Sequence, residues 1–245
     1  MTRFILTLQF LSRITIAKDL PYDEDFKKGV IYFPLVGLVL GGILAVAYKG
    51  LAYGLHTTMA SILVIALYVA LTGGLHLDGL GDTFDGFYSS RPRERILEIM
   101  KDSRLGTNGV IVIIFGLLIK IFGLAEVLPT KGLAALILMP VMGRLAIVYG
   151  SYNVSYARKE GLGNIFIDKI TKQEIIIATV ITAFCAVLDK NSLFFIPILW
   201  LFSYLFKKYS EKIIGGMTGD TSGALCELTE ILYILYLMIL TNLKL

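Results

Sequence analysis

Seven apolar stretches, at about residues 30–54, 57–76, 107–128, 132–152, 173–188, 192–206 and 220–243, alternate with short polar segments along this chain. A helix of about 20 apolar residues crosses the hydrocarbon core of a bilayer, so each stretch is a candidate span. The fifth and sixth are short for that task, and their ends need local adaptation. A mean hydropathy of +0.75 and 56% hydrophobic residues lie far above a soluble domain of 245 residues. The expected fold class is therefore all-α: a polytopic integral membrane helical bundle, with about seven transmembrane helices and further amphipathic helices at the interface. No fixed-period repeat or low-complexity linker divides the chain, so residues 1–245 read as a single domain.

The basic residues sort the loops. Arg3, Arg13, Lys18, Lys27, Lys28, Arg91, Arg93, Arg95, Lys101, Arg104, Arg158, Lys159, Lys169, Lys172, Lys207, Lys208 and Lys212 fall on one side. The other side has Lys49, Lys131, Lys190 and Lys244, while Lys120 and Arg144 lie inside spans. Positive loops stay in the cytoplasm, which places the amino terminus and the long loops there, in a cell (cytoplasmic) membrane. The far-side turns near His56, Pro129 and Asn191 are too short for much chemistry, so the working face is the cytoplasmic one. Arg3 before an apolar run resembles a signal peptide, but Arg13 interrupts it and no cleavage pattern follows. Arg3–Ile16 is expected as a retained amphipathic or partly buried helix. A net charge of +4, dispersed, argues against nucleic acid as a partner, and Cys185 and Cys226 read as packing residues. In the first span, Gly37, Gly41 and Gly42 follow Pro34 and predict close helix packing.

Two acidic clusters carry the chemistry. In His76-Leu-Asp-Gly-Leu-Gly-Asp-Thr-Phe-Asp-Gly86, Asp78, Asp82 and Asp85 stand at i, i+4 and i+7, on one helical face. Three like charges that close repel unless a cation sits among them. Gly79, Gly81 and Gly86 are expected to keep that face bare for an anionic group. The second cluster, Gly215 to Glu230, suits a loop turning into a polar-capped helix. Asp220 and Glu227 share a face there, with Glu230 one turn on; carboxylates inside an apolar span are costly and point to function. Facing one another at the cytoplasmic end of the bundle, the clusters would form an oxygen-rich cage for magnesium or manganese. Between them, Arg91, Arg93, Arg95, Lys101 and Arg104 read as a phosphate-attracting patch on a surface helix, and Gly106 and Gly109 open the next span at an anion-friendly helix start. His76 suits either a base or a packing role. Arg144, about eight residues or roughly 12 Å below the cytoplasmic end of its span, needs carboxylates or a phosphate as partner, whereas Lys120 can snorkel. The loop from Tyr152 to Gly163 either closes over a ligand or merely connects spans.

Over essentially its full length the chain resembles the cobalamin (5′-phosphate) synthase family, the adenosylcobinamide-GDP ribazoletransferases. The matching stretches are Leu8–Ile14, Phe33–Gly37, His76–Gly86, Arg93–Arg95 with Ile99–Arg104, and Gly215–Glu230. Thr15 stands where the family often has proline, and Gly81 where it commonly has alanine. The resemblance implies a membrane transferase for the last assembly step of the cobalamin nucleotide loop. A ribose hydroxyl of α-ribazole, or of its 5′-phosphate, attacks the phosphate on cobinamide, GMP leaves, and Mg2+ is required. Set into that reaction, the residue reading makes Asp78, Asp82 and Asp85 metal ligands, with Asp220 and Glu227 completing the shell or binding the nucleotide, and Asp82, Asp85 or His76 catalytic groups. Arg95, Lys101, Asp102, Arg104, Arg144, Thr218, Gly219 and Glu230 would bind substrate. Two rivals stay open: a CDP-alcohol-type phosphotransferase of phospholipid synthesis, echoed by Asp82-Thr-Phe-Asp85-Gly86, and an ion-coupled transporter. Adenosylcobinamide-GDP, α-ribazole and the lipid bilayer are the expected partners; oligomeric state is open, a homo-oligomer included.

Overall fold

The structure is a computed structural model that describes residues 2–21 and 23–244. Among those residues there are ten α-helices and no strand, only an isolated bridge between Tyr156 and Met217. The all-α bundle expected from the apolar pattern is what forms. Its middle is α7 (Ala134–Ser151), in which every residue from Leu138 to Ser151 is buried, packed against α10 (Gly219–Asn242).

On one flank α7 meets α2 (Phe33–Leu51), which starts with Pro34 in its first turn. A Cβ on Gly37 would stand 2.6 Å from the Pro140 carbonyl oxygen, and one on Gly41 would overlap the Ile137 backbone. Those two glycines therefore let the helices touch backbone to backbone; Gly42 faces open space and contributes nothing to the contact. On the other flank α6 (Thr107–Lys131) lies against α10 and α3 (Thr57–Thr72). Large apolar side chains cover the outside, among them Phe115, Phe122, Phe184 and Trp200, each more than half exposed. In a water-soluble protein that surface would aggregate; against acyl chains it is at equilibrium.

Four segments are long and apolar enough to cross a membrane: Phe26–Leu51, Thr107–Lys131, Ala134–Ser151 and Gly219–Asn242. The bent pair of α3 and α4 (Leu75–Phe87) makes a fifth. By this measure the count falls below the seven read from the sequence. The two segments that drop out are those already short: α8 (Lys172–Cys185) has 14 residues, and α9 (Phe195–Ile214) ends in Lys207, Lys208, Glu211 and Lys212.

The segment 57–76 does not run straight through as the apolar pattern predicts. Gly73 and Gly74 take left-handed φ values of 63° and 71°, and their amides close α3 onto the carbonyls of Ala70 and Val69. The chain then turns 88° into α4, which crosses the end of the bundle rather than prolonging α3. At the same end lie α1 (Thr2–Leu11), the short α5 (Arg93–Ile99) and the loop 152–171.

Candidate active site

The two acidic clusters meet where α4 packs on the first turns of α10. Gly79 makes this possible, because a Cβ there would stand 2.7 Å from the Asp220 carbonyl oxygen; a Cβ on Gly223 of α10 would stand 3.3 Å from the His76 backbone and 3.5 Å from the Gly79 Cα. The other glycines of α4 are used the same way, Gly81 against Leu105 and Gly86 against Met100. The face predicted to stay bare for an anion is thus covered by neighbouring helices, and the aspartates project from between these contacts. Thr218 caps α10 reciprocally with Thr221: each hydroxyl oxygen accepts the other's amide, at 3.2 and 2.8 Å. The turn before it is clasped by the loop after α7, through Ala157 N to Met217 O and Met217 N to Ser155 O, both 2.9 Å. The clasp brings Arg158 to within 2.6 Å of Asp220. This loop therefore does more than connect spans.

A cavity of about 420 Å³ opens at this junction. His76, Asp78, Arg158, Gly219, Asp220 and Ser222 line it together with the apolar side chains of Phe10, Phe33, Ile147 and Phe166. Burial pushes the Tyr156 phenol, also on the lining, upward, with Arg158 pulling against it. A second cavity of about 680 Å³, lined by Ser12, Arg13, Gly73, Gly74 and Leu105, shares Asp78 with the first. One carboxylate so stands between two spaces.

Asp82 is half-buried within electrostatic reach of Asp78, Asp220, Asp85 and Arg158. Among the described residues the side chains of Asp78 and Asp82 have no hydrogen-bond or ion-pair partner. Unpaired carboxylate oxygens are donors of the kind a hard divalent cation takes, so the donor chemistry fits magnesium. Yet no three acidic, histidine or cysteine side chains among the described residues converge tightly enough to form a finished ligand shell. Asp85 is otherwise engaged. Its two oxygens accept the amides of Gly106 (2.6 Å) and Gly109 (2.9 Å), holding the start of α6, where a negative charge is favoured.

The remaining acids and Arg144 sit deeper. Lys120 donates to Glu227 at 2.6 Å and Glu230 at 2.5 Å, and Arg144 to Glu230 at 2.7 Å. The Tyr68 hydroxyl donates to Glu230 at 2.5 Å and accepts from Arg144. Two cations and two anions give a neutral, buried set spanning α3, α6, α7 and α10, and none of these side chains lines the cavity. Its edge reaches the site through Arg144 Nη2, 3.4 Å from His76 Nδ1. Lys120 does not snorkel: it is 2% exposed and is the shared partner of both glutamates.

The basic patch splits. Arg93 is structural, donating to the carbonyls of Ile214 (2.7 Å) and Ala157 (3.3 Å) and so fastening α5 beneath the clasp. Arg95 pairs with Glu98 at 2.7 Å on the surface, and Lys101 is exposed. Arg104 grips Asp102 through three hydrogen bonds and holds that carboxyl down at about 2. Of the residues assigned to substrate, only Gly219 lines the cavity, Thr218 lying buried behind it.

Sequence comparison decides the relationship. The description "Cobalamin-5-phosphate synthase" matches residues 3–238. A protein of Alkaliphilus metalliredigens named adenosylcobinamide-GDP ribazoletransferase is 51% identical, covering 99% of this chain and 97% of its own length. Proteins of the same name from Clostridioides difficile and Clostridium acetobutylicum are 41% and 43% identical, over 98% and 95% of this chain and 98% and 94% of theirs. The chain belongs to the cobalamin-5-phosphate synthase family. Neither a CDP-alcohol phosphotransferase nor a transporter is favoured by these matches, and no solved structure matches the chain.

Within this synthase, three contributors escaped the sequence. Lys120 carried a signal, a lone cation facing two glutamates inside spans, that snorkelling explained away. Tyr68 and Arg158 carried none: a tyrosine in an apolar run and an arginine in a basic loop are ordinary until the fold supplies Glu230 and Asp220.

Proposed function

We infer that this chain transfers the cobinamide-phosphate part of adenosylcobinamide-GDP to α-ribazole, or to α-ribazole 5′-phosphate, with release of GMP. The match that carries this reading is the near-full-length 51% identity to a ribazoletransferase. The acidic corner between two cavities supports it. A ribose oxygen bonds to the phosphorus attached to cobinamide, the bond from that phosphorus to the oxygen of GMP breaks, and GMP carries away the electron pair. The hydroxyl proton needs an acceptor within hydrogen-bond reach; Asp82, half-buried and unpartnered, is the candidate, with His76 on the cavity wall as the second. Arg158, paired with Asp220 on the cavity lining, is a cation available to the negative charge that grows in the transfer.

Magnesium, held by Asp78, Asp82 and Asp220, would neutralise the diphosphate when bound. Of these three carboxylates, Asp78 and Asp82 are free of other partners among the described residues, and Asp220 would have to give up Arg158 to bind the ion. The apolar outer surface and the concentration of basic loops at the site end support a multi-pass protein of the cytoplasmic membrane, its amino terminus and site toward the cytosol. The test is GMP release by purified protein in lipid nanodiscs supplied with adenosylcobinamide-GDP, α-ribazole and magnesium. Release that requires all three is expected. Turnover of CDP-alcohol donors without GMP release would overturn the assignment.

A further inference from the structure

The lining of the 420 Å³ cavity combines two unlike groups of residues, and this division points to its occupant, given the reaction proposed above. Phe33 and Phe166 meet edge to face at 5.1 Å, Phe10 lies 5.4 Å from Phe166, and Ile147 adds to the apolar lining. Phe33 and Phe166 are almost wholly buried. The polar part of the lining is Asp78, Asp220, Ser222 and Arg158. Pockets of about 300–1,000 Å³ hold ligands of drug size, with an apolar body and a few placed polar groups. A nucleoside with a fused aromatic base has that size and that division. A corrinoid carrying a nucleotide is several times too large.

We propose that this cavity seats the acceptor nucleoside, its flat base against Phe10, Phe33 and Phe166 and its ribose toward Asp78 and Asp220. The donor's diphosphate then approaches from the adjoining 680 Å³ cavity, where Arg13 stands and which shares Gln9, Phe10, Leu75 and Asp78 with the first. Aromatic contacts and apolar burial of the base set acceptor affinity, while the acidic residues hold the hydroxyl at the reacting phosphorus.

The experiment is steady-state GMP release in nanodiscs by Phe10→Ala and Phe166→Leu, with each substrate varied in turn. The KM for α-ribazole should rise about tenfold in each variant, and in Phe166→Leu, whose ring lines only the first cavity, that for adenosylcobinamide-GDP should stay within about twofold. Phe10 lies on the half-buried α1, so its variant remains informative if the Phe166 variant does not fold. Ile147→Phe, which narrows the apolar part, should shift preference from the dimethylbenzimidazole riboside to the unsubstituted benzimidazole riboside. Wild-type protein that releases GMP while these variants leave the α-ribazole KM unmoved, or raise only the donor KM, overturns the seat. Wild-type protein that releases no GMP overturns the reaction itself, and calorimetric titration of α-ribazole into wild type and Phe10→Ala then tests the seat alone, equal affinities refuting it.

Discussion

Lys120 Nζ stands 2.5 Å from Glu230 and 2.6 Å from Glu227, with all three side chains buried between α6 and α10. With Arg144 the set is neutral, so no net charge is left inside the bundle. Ion pairs of this kind add little over an apolar core of the same shape, but removing one partner leaves a charge stranded. Lys120→Met should therefore lower stability by about 3–5 kcal/mol, read as thermal unfolding in detergent. Adding Glu227→Gln to that variant should recover much of the loss. Equal stability of the two variants would deny the coupling.

The aspartates of α4 divide by task. Asp82→Asn should abolish GMP release and leave unfolding temperature and membrane insertion unchanged, since Asp82 bonds nothing among the described residues. Asp85→Asn should do the reverse. It loses a charged acceptor for Gly106 and Gly109, a destabilisation of about 1–3 kcal/mol, with activity retained at temperatures where the protein is folded. Full activity in Asp82→Asn would remove that residue from the chemistry.

Arg158 competes with any cation for Asp220, being 2.6 Å away. If magnesium binds where we propose, Arg158→Met should lower the half-saturating magnesium concentration several-fold, even as the maximal rate falls. An unchanged or raised requirement would place the ion away from Asp220.

The pair between Asp102 and Arg104 gives a negative control for pH. Its hydrogen bonds to Arg104 hold the Asp102 carboxyl at about 2, below its unfolded value. Whatever the pair contributes is present above the usual carboxylate range and is lost only as pH falls toward 2. Between about pH 5 and 9 the pair does not titrate. Asp102→Asn should leave the shape of the activity profile across that window unchanged, and a displaced limb would show Asp102 acting on the reaction directly.

Hydrophobic pattern made the bundle legible, and the i, i+4, i+7 spacing placed Asp78, Asp82 and Asp85 on one short helix, as α4 confirms. The corner at Gly73 and Gly74 was harder to see, because Leu71, Leu75 and Leu77 continue the apolar run across it; only the paired glycines marked the break. The pairings at the site were opaque for a different reason. Arg158 meets Asp220, and Lys120 meets Glu227, across more than sixty residues of chain, and local spacing carries no information about such contacts. Gly79, Gly81 and Gly86 were misjudged by the same gap: small residues announce a close approach without saying by what.

The cavity takes walls from Gln9 and Phe10 in the first helix and from Asp220 to Gly223 in the last. If the cavity is the site we propose, a chain emerging from the ribosome has no reaction centre until its tenth helix has been threaded into place beside the fourth. A product of premature termination upstream of that helix would then lack Asp220 and part of the cavity lining, and no transfer is expected from it.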